Sequence, residues 1–417
     1  MAKIKKIVAR EILESRGNPT LEAIVELDDG AVGVFSTPSG LSVGKHEAVE
    51  LRDNDPKRFS GKGVLKALEN IYRYLAPLLI GKDASAQEQL DKLMISADGT
   101  QNKEKLGANS ILTLSGAIAK AQAASQNVSL YRYIAQISGN NNPTFTIPAP
   151  MFNILNGGVH GGGNIDFQEF MIVPPHAKSY SKNLRMGVEV YYSLREVISS
   201  HSGITLVGDE GGYAPVLYSN IDAFKLIEDA ISRAGYNLGL DVFFSIDVAA
   251  SYFLKDGEYR IKDRPVSYST NEFMDYYATL NEQFHLLSIE DPLDQDNWDA
   301  WAKLTAKIGQ NTLIIGDDLI TTNLERLKQA VSSKACNAVI IKPNQVGTIT
   351  ETLAVVKEAK SKNFKIIVSH RSGETNDDFI ADFAVGISAD YVKFGAPAKG
   401  ERVAKYNRLL EIEHELS

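Results

Sequence analysis

The chain has 417 residues, 44% of them hydrophobic, enough for a full core and for a barrel of about 250 residues beside a smaller domain. A net charge of −8 argues against general affinity for nucleic acid or anionic membrane surfaces. The single cysteine, Cys336, excludes an intrachain disulfide and a thiolate zinc site, and no run reaches the roughly 18 apolar residues of a membrane span.

Residues 4–36 alternate apolar and polar around a turn at Asp28-Asp29-Gly30, which predicts a β meander. Lys3, Lys5 and Lys6 alternate with Ile4 and Ile7, so they read as a strand face, not as a binding arm. Charges at Arg10, Glu11 and Glu14 leave no signal-peptide core, and the cytoplasm is the expected location. A small-residue loop over 38–47 precedes helical periodicity in 61–80, 86–96, 104–125 and 129–138. The polar run Asn140-Asn141-Asn142-Pro143 then predicts a boundary between an α+β domain, residues 1–139, and a second domain, residues 140–417.

In that second part, six short apolar runs each end in a reactive side chain: Asp247, Glu290, Asp317, Lys342, His370 and Lys393. Successive ends lie 23 to 43 residues apart, about the length of a strand, a turn, a helix and another turn. Helical patterns fall between or beside them at 179–200, 219–234, 270–283, 322–333, 348–362 and 376–386, and an amphipathic stretch closes the chain at 399–415. Short runs rich in Ile, Val and Phe suit strands buried on both faces, and their repetition predicts a (β/α) barrel. Such barrels carry their chemistry at the carboxyl ends of the strands. Cys336, just before one of these runs, is expected to be buried and inert.

Asp247, Glu290 and Asp317 are hard oxygen donors of the kind Mg²⁺ prefers, although each could instead cap a following helix. Lys342 and Lys393 end buried strands, where one could pair with a carboxylate. Alternatively, Mg²⁺ and the second lysine would depress the pKa of one of them and make it a usable base. The periodicity does not choose between them. Arg371 and Ser372, directly after His370, offer a fork and a hydroxyl suited to phosphate. Ser369 and His370 are adjacent and would point to opposite faces, against a nucleophilic pair. Taken alone, Gly208 to Gly212 reads as a plain turn, and Asn156 to Gly163 as a mobile lid. The chain contains no G-x-S-x-G elbow, no Walker loop and no G-x-G-x-x-G after a strand.

Read together, these segments resemble the enolase family along the whole chain. The matching pieces are Ser15 to Thr20, Lys105 to Asn109, Gln168 to Met171, Gly208 to Gly212 and Ser288 to Pro292. Gly316 to Asp318, Lys342 to Gln345, Ser369 to Thr375 and Lys393 through Pro397 complete the set. The resemblance implies an irregular (β/α)8 barrel with one antiparallel strand behind the α+β domain. It implies Mg-dependent, reversible dehydration of 2-phospho-D-glycerate to phosphoenolpyruvate in glycolysis and gluconeogenesis, with two Mg²⁺ per site. By the same likeness, Asp247, Glu290 and Asp317 hold the tightly bound ion and Ser42 helps bind the second. Lys342 resembles the proton acceptor and Glu210 the proton donor. His160, Gln168, Glu169, His370, Arg371, Ser372 and Lys393 resemble the groups around the substrate.

The implied assembly is a homodimer or an octamer of dimers, cytoplasmic with an additional cell-surface or secreted pool. Surface partners and RNA-degrading assemblies are the secondary partners the family suggests, with no direct nucleic-acid binding. The chain departs from the usual pattern at Leu41 and Val43 for Ala and Thr, Phe394 for Thr, Tyr252 for Glu and Glu14 for Asp. A related enzyme acting on an unphosphorylated acid is the runner-up, and Arg371, Ser372 and Ser42 speak against it. A non-catalytic binding protein that kept the fold is the third reading, disfavoured because the acids and lysines are all present.

Overall fold

The computed structural model describes residues 2–417 except 42–43, 141–142, 162, 164, 176–178 and 203–204. The expected meander is an antiparallel sheet of β1 (Ile4–Leu13), β2 (Pro19–Leu27) and β3 (Val32–Ser36). Alternation along β2 buries Leu21, Ala23, Val25 and Leu27 on one face, and the helix Ala108–Ser125, buried over most of its length, packs there. The contact is close enough that a Cβ at Gly33 would come within 2.2 Å of the helix backbone at Ala117 and Ala121. The pattern over 61–80 folds as Leu65–Asn70, a π segment Ile71–Leu75 and Ala76–Leu79. Pro77 lacks the N–H that would bond back to residue 73, and its ring crowds that carbonyl, so the ladder widens just ahead of it.

The closed barrel is built from β4 (Ala149–Asn156), β5 (Glu169–Val173), β6 (Phe243–Asp247), β9 (Leu286–Glu290), β10 (Leu313–Gly316), β11 (Ala338–Ile341), β12 (Lys365–Ser369) and β13 (Tyr391–Lys393). A two-residue-per-strand ribbon, β7 (Leu254–Lys255) and β8 (Glu258–Tyr259), lies outside it. All six predicted runs are barrel strands or end them. β4 and β5 were not anticipated as strands, and neither was the helix Trp298–Ile308. β5 runs antiparallel to both its neighbours, while every other adjacent pair is parallel. Below the mouth the barrel is filled by Met151, Met171, Ile315, Ile340 and Ile367, so only one end is open to chemistry. Cys336 is buried in the outer core, and burial pushes its thiol up, away from reactivity.

Candidate active site

Strand register alone brings the acids together. Glu169 opens β5 opposite Asp247, and Asp247 ends β6 opposite Glu290, so three carboxylates stand side by side on the rim. Asp317 follows β10 on the next strand. Because β5 is reversed, its first residue reaches the same rim as its neighbours' last residues; a parallel β5 would carry Gln168 and Glu169 to the opposite end. None of these acids caps a helix. The following helices are capped by Asn297 and Asn323, and the turn after β6 has no side-chain cap.

Two lysines hold the acids. Nζ of Lys393 lies 2.9 Å from both Asp247 Oδ2 and Glu290 Oε2, and 3.2 Å from Glu169 Oε2. Lys342 pairs with Asp317 Oδ2, whose other oxygen accepts from Gln345 Nε2 at 2.9 Å. Burial works to lower both amines, but the carboxylates override it: Lys342 is raised by Asp317 and Lys393 lies well above its ordinary value. Each amine is raised because the carboxylates are the charges nearest to it. Burial and repulsion from Asp247 raise Glu290 well above the carboxylate range, and Glu169 is pushed up to about 7, first by burial and then by Glu210.

The expected metal trio fits a divalent cation by its loose ends. Asp247 Oδ1 and Glu290 Oε1 are buried without any hydrogen-bond donor, an arrangement that oxygen-seeking Mg²⁺ satisfies. As placed, however, the atoms that lie within 4.8 Å of one another belong to two other sets among the described residues. These are His160, Glu169 and Glu210, and Asp291, Asp317 and Asp318. The difference follows from Lys393, which draws one oxygen each from Asp247 and Glu290 to itself. Asp291 was unmarked as a site residue in the sequence reading. It adopts φ +43° and its carboxylate accepts the amides of Asp317 and Asp318, which fixes the turn after β10.

Glu210 is buried within 3.5 Å of His160 Nδ1 and 3.3 Å of His370 Nε2. Burial would raise Glu210, yet the two imidazoles hold it well below the usual range; His160 is raised in turn despite burial, chiefly by Glu210. Burial takes His370 down to about 3. The segment 157–161 is a hydrogen-bonded turn, and two of its glycines serve close packing: a Cβ on Gly157 or Gly161 would meet backbone at 2.4 or 2.3 Å.

Arg371, with Ser372 beside it, lies on the rim and forks onto Glu47 at 2.8 and 3.2 Å and onto Asn344 at 3.1 Å. Glu47 comes from the first domain, whose loops dock here through paired backbone bonds between Ser39 and Gly373 and from Leu41 N to Ser372 Oγ at 2.8 Å. Ser42 lies outside the described residues. His160, Gln168, Glu169, Glu210, Asp247, Asp317, Lys342, His370, Arg371, Ser372 and Lys393 line one void. Glu290, wholly buried, is joined to that lining through Lys393. Sequence reasoning missed Asn153, Glu47 and Arg402, each of which touches a site residue. Only contact, not spacing, marks them.

A closed barrel with one reversed strand, carrying acids on one side of its mouth and buried amines facing them, defines a barrel enzyme that handles a proton next to an anionic group. A family model described as the enolase C-terminal TIM barrel domain matches residues 144–417, and one described as the enolase N-terminal domain matches residues 4–134. The chain belongs to the enolase family. It is a lyase, a phosphopyruvate hydratase that interconverts 2-phosphoglycerate and phosphoenolpyruvate. Among the described residues, no helix is long and apolar enough to cross a membrane.

Proposed function

We propose that Lys342 removes the C2 proton of 2-phospho-D-glycerate and that Glu210 protonates the departing C3 hydroxyl. The observation that supports this reading is that both line one void, with Lys342 against Asp317 and Glu210 between two imidazoles. Loss of the C2 proton puts a second negative charge on a carboxylate. Mg²⁺ held by Asp247, Glu290 and Asp317 would supply the positive charge that offsets it. Two ions per site are proposed, the second with Ser42. Lys393 keeps the three rim carboxylates in place, and its position permits a contact with the substrate. Arg371 and Ser372 would receive the phosphate, with Arg371 exchanging Glu47 for it. Gln168, Glu169, His160 and His370 complete the substrate shell. The division into residues 1–139 and 140–417, a homo-oligomeric state (dimer or octamer) and a cytoplasmic location with a further surface or secreted pool belong to the same proposal.

Lys342→Ala is expected to abolish exchange of the C2 proton with solvent, whereas Glu210→Gln keeps exchange and slows dehydration by about 10²–10⁴. Isotope exchange and ultraviolet absorbance of phosphoenolpyruvate measure the two. Loss of exchange in the Glu210 variant with exchange spared in the Lys342 variant would reverse the roles. Excess chelator is expected to abolish product formation and magnesium to restore it.

A further inference from the structure

Arg402 lies in the first turn of the C-terminal helix Gly400–Leu416 and is wholly buried. Its Nη1 reaches His370 Nδ1 at 2.7 Å and donates to the Arg371 carbonyl at 2.5 Å, while Nη2 donates to the Ser372 carbonyl at 2.6 Å. The reaction as assigned gives it no part, yet burying a guanidinium is expensive unless it is well partnered. A guanidinium has donors only. His370 Nδ1 must therefore present its lone pair, and the ring proton sits on Nε2, 3.3 Å from Glu210 Oε2. Asn153 Nδ2, from β4, donates to that same oxygen at 3.0 Å. Oε2 then faces two donors. Among the described residues, Oε1 faces only His160 Nδ1, at 3.5 Å. The backbone makes room for the arrangement at Gly395, where a Cβ would lie 2.8 Å from His370 Cε1 and 3.1 Å from Arg402 Cδ.

We infer that Arg402 is a positioning residue for the dehydration half of the reaction: by fixing the His370 tautomer, it keeps the transferable proton of Glu210 on Oε1. A carboxyl group with one oxygen that accepts from Asn153 and faces the His370 Nε2–H at 3.3 Å carries its acid proton on the other. The proton passes from Oε1 to the C3 hydroxyl and the C3–O bond breaks with its electron pair leaving as water. The pair left at C2 closes the C2–C3 double bond, and Glu210 ends as a carboxylate. The inference rests on Glu210 being the proton donor.

The test uses the full magnesium-loaded chain as native protein, Arg402→Met, Arg402→Lys and Glu210→Gln, with C2 proton exchange and phosphoenolpyruvate formation measured side by side. Arg402→Met is expected to slow dehydration by about 10²-fold while exchange stays within about threefold, and Arg402→Lys, which keeps one donor, to recover part of the loss. Nitrogen NMR of His370 is expected to show Nε2–H in the native protein and a mixture in Arg402→Met. If exchange and dehydration fall together in the Arg402 variants while Glu210→Gln separates them, Arg402 is merely structural and the inference is overturned. If Glu210→Gln itself loses exchange, the donor assignment fails instead. Should Arg402→Met not fold, the native spectrum decides, since a protonated Nδ1 at His370 overturns the inference and a lone Nε2–H supports it.

Discussion

Lys393 shows how much one side chain can settle. Its amine is the shared cation of Asp247, Glu290 and Glu169, all buried, and without it three like charges would face one another. Removing one partner of a buried ion cluster is far more damaging than never having built it. Lys393→Met is therefore expected to lower the unfolding free energy in chelator by about 3–5 kcal/mol, measured by urea titration. Added magnesium should narrow that gap, because it too neutralises Asp247 and Glu290. Among the departures from the family pattern, Glu14 accepts from Arg16 N at 2.7 Å and from Asn18 Nδ2 at 2.6 Å, so its longer chain still organises the docking loop. Phe394 is absorbed into the core beside Tyr406, and Tyr252 lines a shared surface pocket with Gly158, Val159 and Gly163.

Elements meet closely enough that glycine is sometimes a packing requirement. At Gly33, on β3, even a methyl would strike the backbone of the helix Ala108–Ser125, and neither backbone can yield as a flexible side chain would. Gly33→Ala is expected to destabilise the protein by about 3 kcal/mol, read from the denaturant midpoint at unchanged slope. The barrel mouth lies outside this contact, so kcat of the folded fraction should hold. The reversal of β5 is the other element-scale decision. It turns the hairpin partner of β4 into the source of Gln168 and Glu169 at the rim.

Across the molecule, the first domain is fastened to the barrel by buried polar contacts. Lys103 pairs with Glu351 at 2.8 Å and Lys120 with Asp377 at 2.7 Å. Asp91, wholly buried, accepts from Thr350 N at 3.0 Å and Thr350 Oγ1 at 2.6 Å, and so holds the start of the barrel helix Ile349–Ser361. Burial raises the Asp91 carboxyl from 3.8 to about 6, against the pull of its hydrogen bonds. A folded pKa above the unfolded one adds stability at low pH that disappears as pH rises through the folded value. Between pH 4 and pH 6 the native protein should therefore lose about 2 kcal/mol relative to Asp91→Asn, which cannot ionise. Urea unfolding of both proteins across that range checks it. A parallel pH dependence in the two would remove Asp91 as the cause.

The six barrel runs were legible because an apolar stretch ending in one charged residue has few other uses. The helices at 108–125, 220–233 and 349–361 were legible from their periodicity. β4 and β5 were not, since strands buried on every face show no alternation and flank a glycine-rich turn that looks like a lid. Local chemistry therefore determined which side chains stand at strand ends, and likeness to a family indicated their roles. Only the tertiary structure decided strand direction, the Lys393 bridge, the Arg402–His370 contact and the docking of Glu47 on Arg371. Each of these joins residues distant in sequence, and no short-range pattern encodes which distant partner a buried charge will find.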